Sequence, residues 1–409
     1  MRVLIINHYA IPPTEPGGTR HHSLAKELVS RGHEVAIVAA SFHHMTRRRR
    51  PEADNSCWFF ESIDGARFVW LRVPAYQGNS VARVWNMIVF ALRTLGLLRS
   101  HDMECPDVVI GSSPHLFAAW AGERLAQCYG VPFVLEVRDL WPETLVRIGK
   151  MPRWHPLVLL MSMLERWLYR RASRIITLLP GASKYIASKG VPSEHIVHIP
   201  NGTDFSLAAK PAMPPAESRA TFIYVGAHGV ANALDTVLEA ACILRDKGYD
   251  SLRFRFVGDG PEKSRLRDKA SRIGFQNVVF DDPVPKGQVY SEIAKADAGL
   301  LVMRDSPLYD WGMSTNKIFD YMASARPVIF SGNTPYDIVR SAGCGFSVPA
   351  EDAAGLAEAI EAFLQLPKAE RIEMGLRGRR YVEENHNFSI LASKLEQLLR
   401  EVLEAQPKD

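Results

Sequence analysis

The chain has 409 residues, which is too long for one ordinary domain and fits two domains of about 200 residues. Hydrophobic residues make up 47% and charged residues 23%, as is typical of a soluble globular protein. The formal net charge of +4 is too small to predict a nucleic-acid partner. Its five cysteines lie far apart and lack metal-ligand spacing, so we expect a reducing compartment and no bound metal.

The amino terminus does not have the pattern of a secretion signal. The apolar run that begins at Met1 stops at Asn7 and predicts a buried first strand. No stretch reaches the roughly 18 uninterrupted apolar residues that a membrane-spanning helix needs. We therefore expect a cytoplasmic protein.

Strands and helices alternate through the first half of the chain. The strands are buried on both faces, which is typical of a parallel sheet. The predicted strands are Arg2–Asn7, Glu34–Ala39, Asp107–Ile110, Val131–Val137, Arg174–Leu178 and His195–Ile199, with helices over Thr19–Ser30 and from Ser113, where Pro114 takes the first position.

A Pro- and Ala-rich stretch, Ala208–Ala220, interrupts the alternation and predicts a linker. The pattern then restarts with strands Thr221–Val225, Leu252–Val257, Asn277–Phe280, Ala298–Val302 and Pro327–Phe330, with helices near 231–247, after Pro261, and over 286–296, 315–323, 353–365, 369–384 and 389–405. Two consecutive α/β domains, 1–207 and 208–387, predict a ligand site in a cleft at the carboxyl ends of the strands.

The first strand-to-helix loop contains Pro16-Gly17-Gly18-Thr19-Arg20. Adjacent glycines before a helix allow a backbone to approach an anion closely, and a helix amino terminus favours negative charge. The loop matches neither the dinucleotide fingerprint nor the P-loop, which disfavours a dehydrogenase. The alternative is an ordinary tight turn.

A second candidate segment runs from Ser314 to Ala323. Ser314 or Thr315 can cap a helix whose first turn holds Lys317, a suitable arrangement for a diphosphate. Asp320 follows one turn later and could accept two ribose hydroxyls. In the alternative interpretation, Lys317 and Asp320 are solvated surface charges.

A third segment, Glu136 to Glu143, leaves the strand Val131–Val137 at its carboxyl end. Asp139 could take a proton from an acceptor hydroxyl or stabilise positive charge on a sugar ring. Arg138 could neutralise phosphate or orient Asp139. The alternative is a structural Arg–Asp pair.

Three features indicate contact with an anionic membrane surface. Four arginines, Arg47, Arg48, Arg49 and Arg50, follow the second strand, while Val84–Leu98 and Trp154–Arg174 combine apolar residues with Trp and Arg. Such segments suit helices that lie in the interface without spanning it. The alternative is that both are core helices and that the arginines form a solvated loop.

Weaker signals are Gly258-Asp259-Gly260, Asn201-Gly202-Thr203-Asp204 and Gly343-Cys344-Gly345, which predict turns. The histidine pairs His21-His22 and His43-His44 predict solvated or packing roles.

Taken together, these segments resemble the retaining glycosyltransferases of the GT-B fold, family 4, and in particular the branch with fucosamine transferases of O-antigen and capsule assembly. The resemblance covers almost the whole chain. It depends on the motifs Gly17–Arg20, Gly32–Val35, Arg138–Pro142, Ile199–Gly202, Val257–Pro261 and Lys317–Met322.

The resemblance implies two Rossmann-like domains, with 388–409 packing back on the first. It also implies a nucleotide-sugar donor, expected to be a UDP-sugar, with no obligatory metal, and a saccharide or polyprenyl-linked acceptor. The donor-binding residues expected on this basis are Gly17, Gly18, Arg20, Gly226, Arg304, Ser314, Asn316, Lys317 and Asp320, and the catalytic residues are Asp139 and Arg138.

The chain departs from the family pattern in three ways. The paired glutamates of the family correspond to Gly312 and Asp320, and its phosphate-binding Arg and Lys correspond to Ala227 and Ala233. Its catalytic-loop histidine corresponds to Arg138. Lys317 or Arg304 would then have to meet the diphosphate charge, and two alternatives stay open: a nucleotide-sugar 2-epimerase and an inactive nucleotide-binding subunit.

Overall fold

The computed structural model describes residues 1–50, 56–78, 81–99, 103–208, 219–274 and 277–406. The chain forms two compact units, one of Met1–Pro12, Gly18–Pro200 and Phe388–Asp409, the other of Pro13–Gly17 and Asn201–Asn387. Most of the predicted linker, 209–218, lies outside the described residues.

The first unit is built on an eight-stranded sheet whose apolar strands are mostly buried on both faces. Its strands are β1 (Arg2–Ile6), β2 (Glu34–Ala40), β3 (Trp58–Ile63), β4 (Ala66–Leu71), β5 (Val108–Ser112), β6 (Phe133–Val137), β7 (Arg174–Thr177) and β8 (Ile196–His198). They lie in the order β3-β4-β2-β1-β5-β6-β7-β8, and only the β3–β4 pair is antiparallel. The carboxyl ends of the parallel strands therefore gather polar loop residues along one edge of this sheet.

Seven helices belong to this unit among the residues described. They are α1 (Arg20–Ser30), α2 (Val81–Gly96), α3 (Leu116–Tyr129), α4 (Glu143–Arg147), α5 (Pro156–Arg171), α6 (Ala182–Ala187) and the carboxyl-terminal α14 (Phe388–Glu404). The predicted helix from Ser113 begins later, at Leu116, because the His115 imidazole accepts the Ala118 N–H at 3.2 Å and caps the helix there.

The β3–β4 hairpin was not predicted. Its two-residue turn, Asp64-Gly65, has φ values of 49° and 80°, the left-handed conformation that such hairpins require. Glu61 at the edge of the hairpin accepts the Trp70 indole N–H at 2.7 Å. The hairpin extends the parallel sheet beyond β2 by two strands.

The second unit repeats the layered architecture around a six-stranded parallel sheet. Its strands are β9 (Thr221–Val225), β10 (Arg253–Val257), β11 (Val278–Asp281), β12 (Ala298–Val302), β13 (Val328–Ser331) and β14 (Gly345–Val348), in the order β11-β10-β9-β12-β13-β14. Its helices are α7 (Asp235–Asp246), α8 (Lys263–Arg272), α9 (Lys286–Ala294), α10 (Asn316–Ala323), α11 (Ile338–Ala342), α12 (Ala353–Gln365) and α13 (Lys368–Asn385). The predicted fold class, α/β with two parallel-sheet domains, is confirmed.

The last helix, α14, packs on α1 in the first unit. Its buried leucines, Leu391, Leu395 and Leu398, join the core that contains Leu24 and Leu28. Each fully buried leucine stabilises this contact by about 1.5–3 kcal/mol. The sequence after Asn387 therefore belongs structurally to the first unit.

Candidate functional site

A buried carboxylate, Glu136, joins the strand ends of the first unit. Its oxygens accept hydrogen bonds from Arg20 Nε at 2.8 Å, His21 Nε2 at 2.7 Å and Ser112 Oγ at 2.5 Å. Asn7 Nδ2 donates to Ser112 Oγ at 2.8 Å. One side chain at the end of β6 thus fixes the ends of β1 and β5 and the start of α1.

The electrostatics of this cluster favour an ionised Glu136. Burial alone would raise its pKa, but Arg20, His21 and Arg138 outweigh burial and hold the pKa well below its ordinary value. Burial lowers the pKa of His21, against the opposing attraction of Glu136. The cluster is therefore an anion held by a guanidinium and an imidazole.

This arrangement corrects the prediction that Arg20 contacts the donor directly. Arg20 is 2% exposed, and its guanidinium also donates to the carbonyls of Ile199, at 2.9 Å, and Pro200. Its charge is used inside the first unit, where it neutralises Glu136 and holds the loop after β8.

Arg138 and Asp139 leave β6 immediately after this anchor. The Arg138 N–H donates to Ser113 Oγ at 2.8 Å, and the Asp139 carbonyl accepts the Trp141 N–H at 3.1 Å. Asp139 is exposed, whereas Arg138 is half-buried. The loop thus presents an acidic side chain to solvent beside a cation, on a backbone that Ser113 holds.

In the second unit, the turn after β9 is built by close backbone packing. Gly226 has φ 144°, and a Cβ there would collide with Lys317 Cε. A Cβ at Gly258 would collide with the Gly226 carbonyl, and one at Gly260 with the His228 carbonyl. Gly258-Asp259-Gly260, predicted as a simple turn, therefore packs directly on the Gly226 loop.

Lys317 lies over this turn from the first helical turn of α10. Its Nζ donates to Asn232 Oδ1 at 2.6 Å and lies 4.9 Å from the centre of the Tyr224 ring. Burial lowers the pKa of Lys317 to about 8. Two of the three ammonium protons are not used by Asn232, so the group can still bind an anion.

The other predicted donor residues fall near the same edge of the sheet. Asn316 begins α10, and the Thr315 side chain makes no capping bond. Ser314 Oγ accepts the Asn201 N–H at 3.0 Å, and the Asn201 amide donates to the Ser314 carbonyl at 2.6 Å. Asn201 was predicted only as a turn residue, yet it positions the segment before α10.

Arg304 follows β12 and approaches the loop after β9. Its N–H donates to the Ala231 carbonyl at 3.1 Å, while its exposed guanidinium lies 3.6 Å from a Glu351 oxygen. Arg304 is therefore a weaker candidate for the diphosphate than Lys317, because an acid already neutralises it.

Asp320 is not the open carboxylate that was expected. Both of its oxygens accept from Lys286 Nζ, at 2.5 and 2.6 Å, and both side chains are buried. Burial raises the pKa of Asp320, and the Lys286 ammonium opposes this effect. Its contact with ribose stays a prediction and would have to use lone pairs that Lys286 leaves.

Of the two glycines before α1, only Gly17 has a backbone conformation that requires glycine. Gly17 has φ 138°, which few other residues adopt, and the Thr19 side chain makes no capping bond to α1. Donor binding by Gly17 and Gly18 stays a prediction.

Large apolar side chains are exposed on α2, on α5 and just before α5. Those on α2 are Val81, Val84, Trp85 and Leu92, and those around α5 are Ile148, Trp154, Leu157, Leu159, Leu160 and Met163. Between α2, α3 and α5 lies an apolar groove of about 750 Å³ with Arg166 and Arg170 in its lining. No helix in the described ranges is long and apolar enough to span a membrane.

The four consecutive arginines differ in their exposure and contacts. Arg47, Arg48 and Arg49 are exposed, as predicted for a basic loop. Arg50 lies with its guanidinium 3.6 Å from the centre of the Trp70 ring and 3.9 Å from a Glu61 oxygen. Arg50 is thus a packing residue, which corrects its assignment to a membrane-binding surface.

No group of three or more His, Cys, Asp or Glu side chains in the described part of the chain is arranged to hold a metal ion. His21 and His22 are both buried, His21 on Glu136 and His22 2.9 Å from an Asp64 oxygen. The packing role predicted for this pair therefore agrees with the structure.

Comparisons with known proteins match this architecture. Residues 17–202 match the family "Glycosyl transferase 4-like domain", and residues 219–366 match "Glycosyl transferases group 1". The putative colanic acid biosynthesis glycosyl transferase WcaI of Escherichia coli is 25% identical, covering 68% of this chain and 71% of its own length. The probable glycosyltransferase WbjE of Pseudomonas aeruginosa is 21% identical, covering 86% of each chain.

Solved structures show the same fold. Sucrose-phosphate synthase from Thermosynechococcus elongatus has a TM-score of 0.77 at 17% identity, covering 99% of this chain and 100% of its own. Anabaena HepE in complex with UDP and glucose has a TM-score of 0.67 at 13% identity, covering 97% and 99%.

Fold and matched domains together define a glycosyltransferase of the GT-B type. The chain consists of a glycosyl transferase 4-like domain followed by a group 1 glycosyl transferase domain, which is consistent with the resemblance to family 4 that its motifs indicated. The comparisons give no support to the epimerase alternative.

The Asp320–Lys286 pair permits a direct test by a double-mutant cycle. Lys286→Met leaves a buried carboxylate without its cation, so we expect a loss of about 3–5 kcal/mol in the free energy of unfolding. The double variant Lys286→Met/Asp320→Leu should recover most of that loss. Urea unfolding measures both values.

The same variants distinguish a purely structural role of Asp320 from a role in ribose binding. If Asp320 also holds ribose hydroxyls, the refolded double variant should bind UDP more weakly than wild type. Wild-type affinity for UDP in the double variant would show that the pair is purely structural.

Proposed function

We propose that this glycosyltransferase moves a sugar from a UDP-sugar to a saccharide or lipid-linked acceptor in bacterial surface polysaccharide assembly. Support for the pathway comes from the relatives, two of which are named as colanic acid biosynthesis glycosyltransferases. Support for a UDP donor comes from structural neighbours solved with UDP or UDP-glucose. Retention of anomeric configuration and independence from metal follow from the family resemblance.

The observation that carries the donor proposal is the position of Lys317 over the Gly226 turn. This turn follows the central strand β9, where a parallel α/β sheet holds its ligand. Gly226 permits close backbone approach, and Lys317 together with the amino terminus of α10 supplies positive charge. Lys317 would thus supply the positive charge that Ala227 and Ala233 lack, so that a diphosphate could bind here without a metal ion.

Asp139 is the proposed catalytic residue of the first unit. Asp139 is an exposed residue just after β6, but the protein around its carboxyl group raises the pKa, against the attraction of Arg138. Glu136, three residues earlier, is buried and neutralised. Asp139 could take the acceptor proton or stabilise the cationic sugar, and Arg138 could orient it. Ser112 and Ser113 connect its loop to the Glu136 anchor.

Membrane contact is proposed for the apolar faces of α2 and α5. No acidic residue occurs on α2, and the only one on α5, Glu165, is buried, so the exposed charges on these two helices are arginines. Apolar side chains edged only by cations match an anionic lipid surface. Arg47, Arg48 and Arg49 would add attraction of about 1 kcal/mol each at low salt.

Lys317 is expected to bind the diphosphate of the donor. Lys317→Met should lower UDP affinity by about tenfold or more while leaving the weak binding of uridine unchanged, because only UDP carries the charge. Wild-type affinity should be constant below pH 8 and fall above it, since the free ammonium, with its pKa of about 8, then loses the proton that the anion needs.

Calorimetry with UDP and uridine between pH 6.5 and about 9.5 measures both effects. The Lys317→Met variant should lose the alkaline fall. Arg340→Gln, at an exposed site of the same unit, serves as the control. Equal UDP affinity in wild type and Lys317→Met would refute the assignment.

Asp139 is expected to act on the transition state. Asp139→Asn preserves size and removes charge, so turnover should fall by about 10²–10⁴ while UDP affinity stays near wild type. Release of UDP from a UDP-sugar, with and without lipid-extract acceptor, gives the rate. Asp246→Asn, an exposed substitution in the second unit, is the control, and wild-type turnover in Asp139→Asn would make Asp139 structural.

Vesicle sedimentation tests the membrane proposal. The protein should pellet with anionic vesicles at low salt and be released at high salt. Arg47→Ser/Arg48→Ser/Arg49→Ser should weaken binding, and Trp85→Ser/Met163→Ser should weaken it further. Val230→Ser, the same kind of change at an exposed apolar residue of the second unit, should have no effect. Equal binding to neutral vesicles, or none to anionic ones, would contradict the proposal.

A further inference from the structure

The apolar groove between α2, α3 and α5 is large enough to hold a ligand of its own. Its volume is about 750 Å³, and every lining residue is apolar or aromatic except Arg166 and Arg170. The half-buried side chains of Phe117 and Trp120 on α3 form one wall, and that of Ile88 on α2 forms another. Ligand sites in proteins commonly have volumes of about 300–1,000 Å³ and mostly apolar linings. The groove therefore has the size and the lining of a binding site for an apolar group.

The polarity of the groove changes along α5. Leu160, Leu164 and Trp167 follow one another at the spacing of a single helix face. Arg170 extends the same face at its carboxyl-terminal end, and Arg166 lies one turn before it. At about 1.5 Å per residue, the distance along the helix from Leu160 to Arg170 is about 15 Å. One end of the groove is thus apolar, and the other end is cationic.

The three helices around the groove do not neutralise its two arginines. Both are exposed, and among the residues that the structure describes neither Arg166 nor Arg170 forms an ion pair or a hydrogen bond through its side chain. No acidic residue occurs on α2, and α3 and α5 have one each. Glu123 of α3 pairs with Arg171 at 2.7 Å, while Glu165 of α5 is buried and accepts two tyrosine hydroxyls at 3.0 Å. The cationic end of the groove can therefore receive an anion.

We propose that this groove binds the apolar chain of a single-chain lipid phosphate, with the phosphate on Arg166 and Arg170. This site deepens the proposed function, on which it rests, because it gives a lipid-linked acceptor a place for its own chain. Burial of each methylene between Ile88, Phe117 and Trp120 favours binding. The two guanidinium groups can donate parallel hydrogen bonds to phosphate oxygens.

A chain in the groove differs from contact with a bilayer surface. A bilayer would meet the exposed side chains, such as Trp85 on α2 and Leu159 on α5, neither of which lines the groove. A single chain would instead contact the half-buried walls, Phe117 and Trp120. The two kinds of binding therefore depend on different residues and can be tested separately.

Two other occupants fit the groove less well. A symmetric dimer through this face would bring the unpaired arginines of both copies into one interface, to which α2, α3 and α5 contribute no free acid. A neutral saccharide would lose the hydration of its hydroxyls against walls that offer few hydrogen-bond partners. An apolar chain with an anionic head group matches both ends of the groove.

Calorimetry with amphiphiles kept below their micelle concentrations tests the groove. Decyl phosphate, decyl maltoside and decyltrimethylammonium have the same chain and differ in the charge of the head group. We expect one decyl phosphate to bind per protein, at least about tenfold more tightly than decyl maltoside, because phosphate pairs with guanidinium. Decyltrimethylammonium should bind most weakly. Butyl phosphate should bind at least about a hundredfold more weakly than decyl phosphate, since it buries fewer methylenes.

The charge of the groove is tested by Arg166→Gln/Arg170→Gln. This double variant should bind decyl phosphate no more tightly than decyl maltoside, and its affinity for decyl maltoside should stay at the wild-type value. Both positions are exposed, so the melting temperature should change little. Arg267→Gln/Arg272→Gln removes two exposed arginines from α8 of the second unit and is the matched control. It should leave all the titrations unchanged.

The walls of the groove are tested by Ile88→Trp/Leu164→Trp. These positions are half-buried, and two indole rings there would narrow the groove without removing its arginines. We expect all three decyl amphiphiles to bind about tenfold more weakly, because the chain loses buried contact area. The variant should still sediment with anionic vesicles, since the exposed apolar side chains of α2 and α5 remain. The melting temperature of the variant shows whether it is folded.

Four results would overturn the groove as a lipid-phosphate site. They are equal binding of decyl phosphate and decyl maltoside, uptake of many amphiphiles per protein, wild-type binding by folded Ile88→Trp/Leu164→Trp, and a dimer that this variant disrupts. Failure of the proposed glycosyltransferase function has a different signature. In that case the protein would release no UDP from any UDP-sugar, while one decyl phosphate would still bind in the groove.

Discussion

The first unit depends on a single buried charge, the Glu136 carboxylate. Without Arg20 this anion would be too costly to bury, and without the anion the Arg20 guanidinium would be. Because these two charges neutralise each other, and because the His21 imidazole and the Ser112 hydroxyl bond to the same carboxylate, the ends of β1, β5 and β6, the start of α1 and the loop after β8 are held in one place. The loops that carry His8, Tyr9 and His115, and the loop that carries Asp139, all leave from this anchor.

The second unit brings two loops into close contact at the turn after β9, where we propose that the donor binds. Gly226, Gly258 and Gly260 let two loops pack without side chains between them, so Lys317 can reach across the turn. Asn232 holds the lysine by one hydrogen bond at 2.6 Å and leaves two protons unused. The site therefore combines a rigid backbone with an ammonium group whose pKa burial has already lowered.

Local patterns predicted the last three helices and all strands except β3, β4 and β14, because apolar runs and helix periodicity are properties of neighbouring residues. Thr221–Val225, Ala298–Val302 and Ala353–Gln365 match the structure at both ends. The Asp64-Gly65 turn was also readable, but the polar half of β3 hid the hairpin. Contacts between residues distant in sequence could not be predicted. Arg20 donates a hydrogen bond to Glu136, Lys286 donates one to Asp320, and Arg50 stacks on Trp70. In each case a charged side chain that the sequence suggested for ligand or membrane binding is instead paired with another side chain inside the fold.

The donor site proposed for the second unit takes its positive charge from a group that titrates near neutral pH. Arginine stays protonated throughout the range in which proteins are folded, whereas Lys317 begins to lose its proton near pH 8 because burial lowers its pKa. Attraction for the donor diphosphate should therefore decline at alkaline pH, where an arginine at the same position would keep it. Since the donor must be bound for transfer, we expect the lysine of the second unit to set the alkaline limit of the proposed reaction.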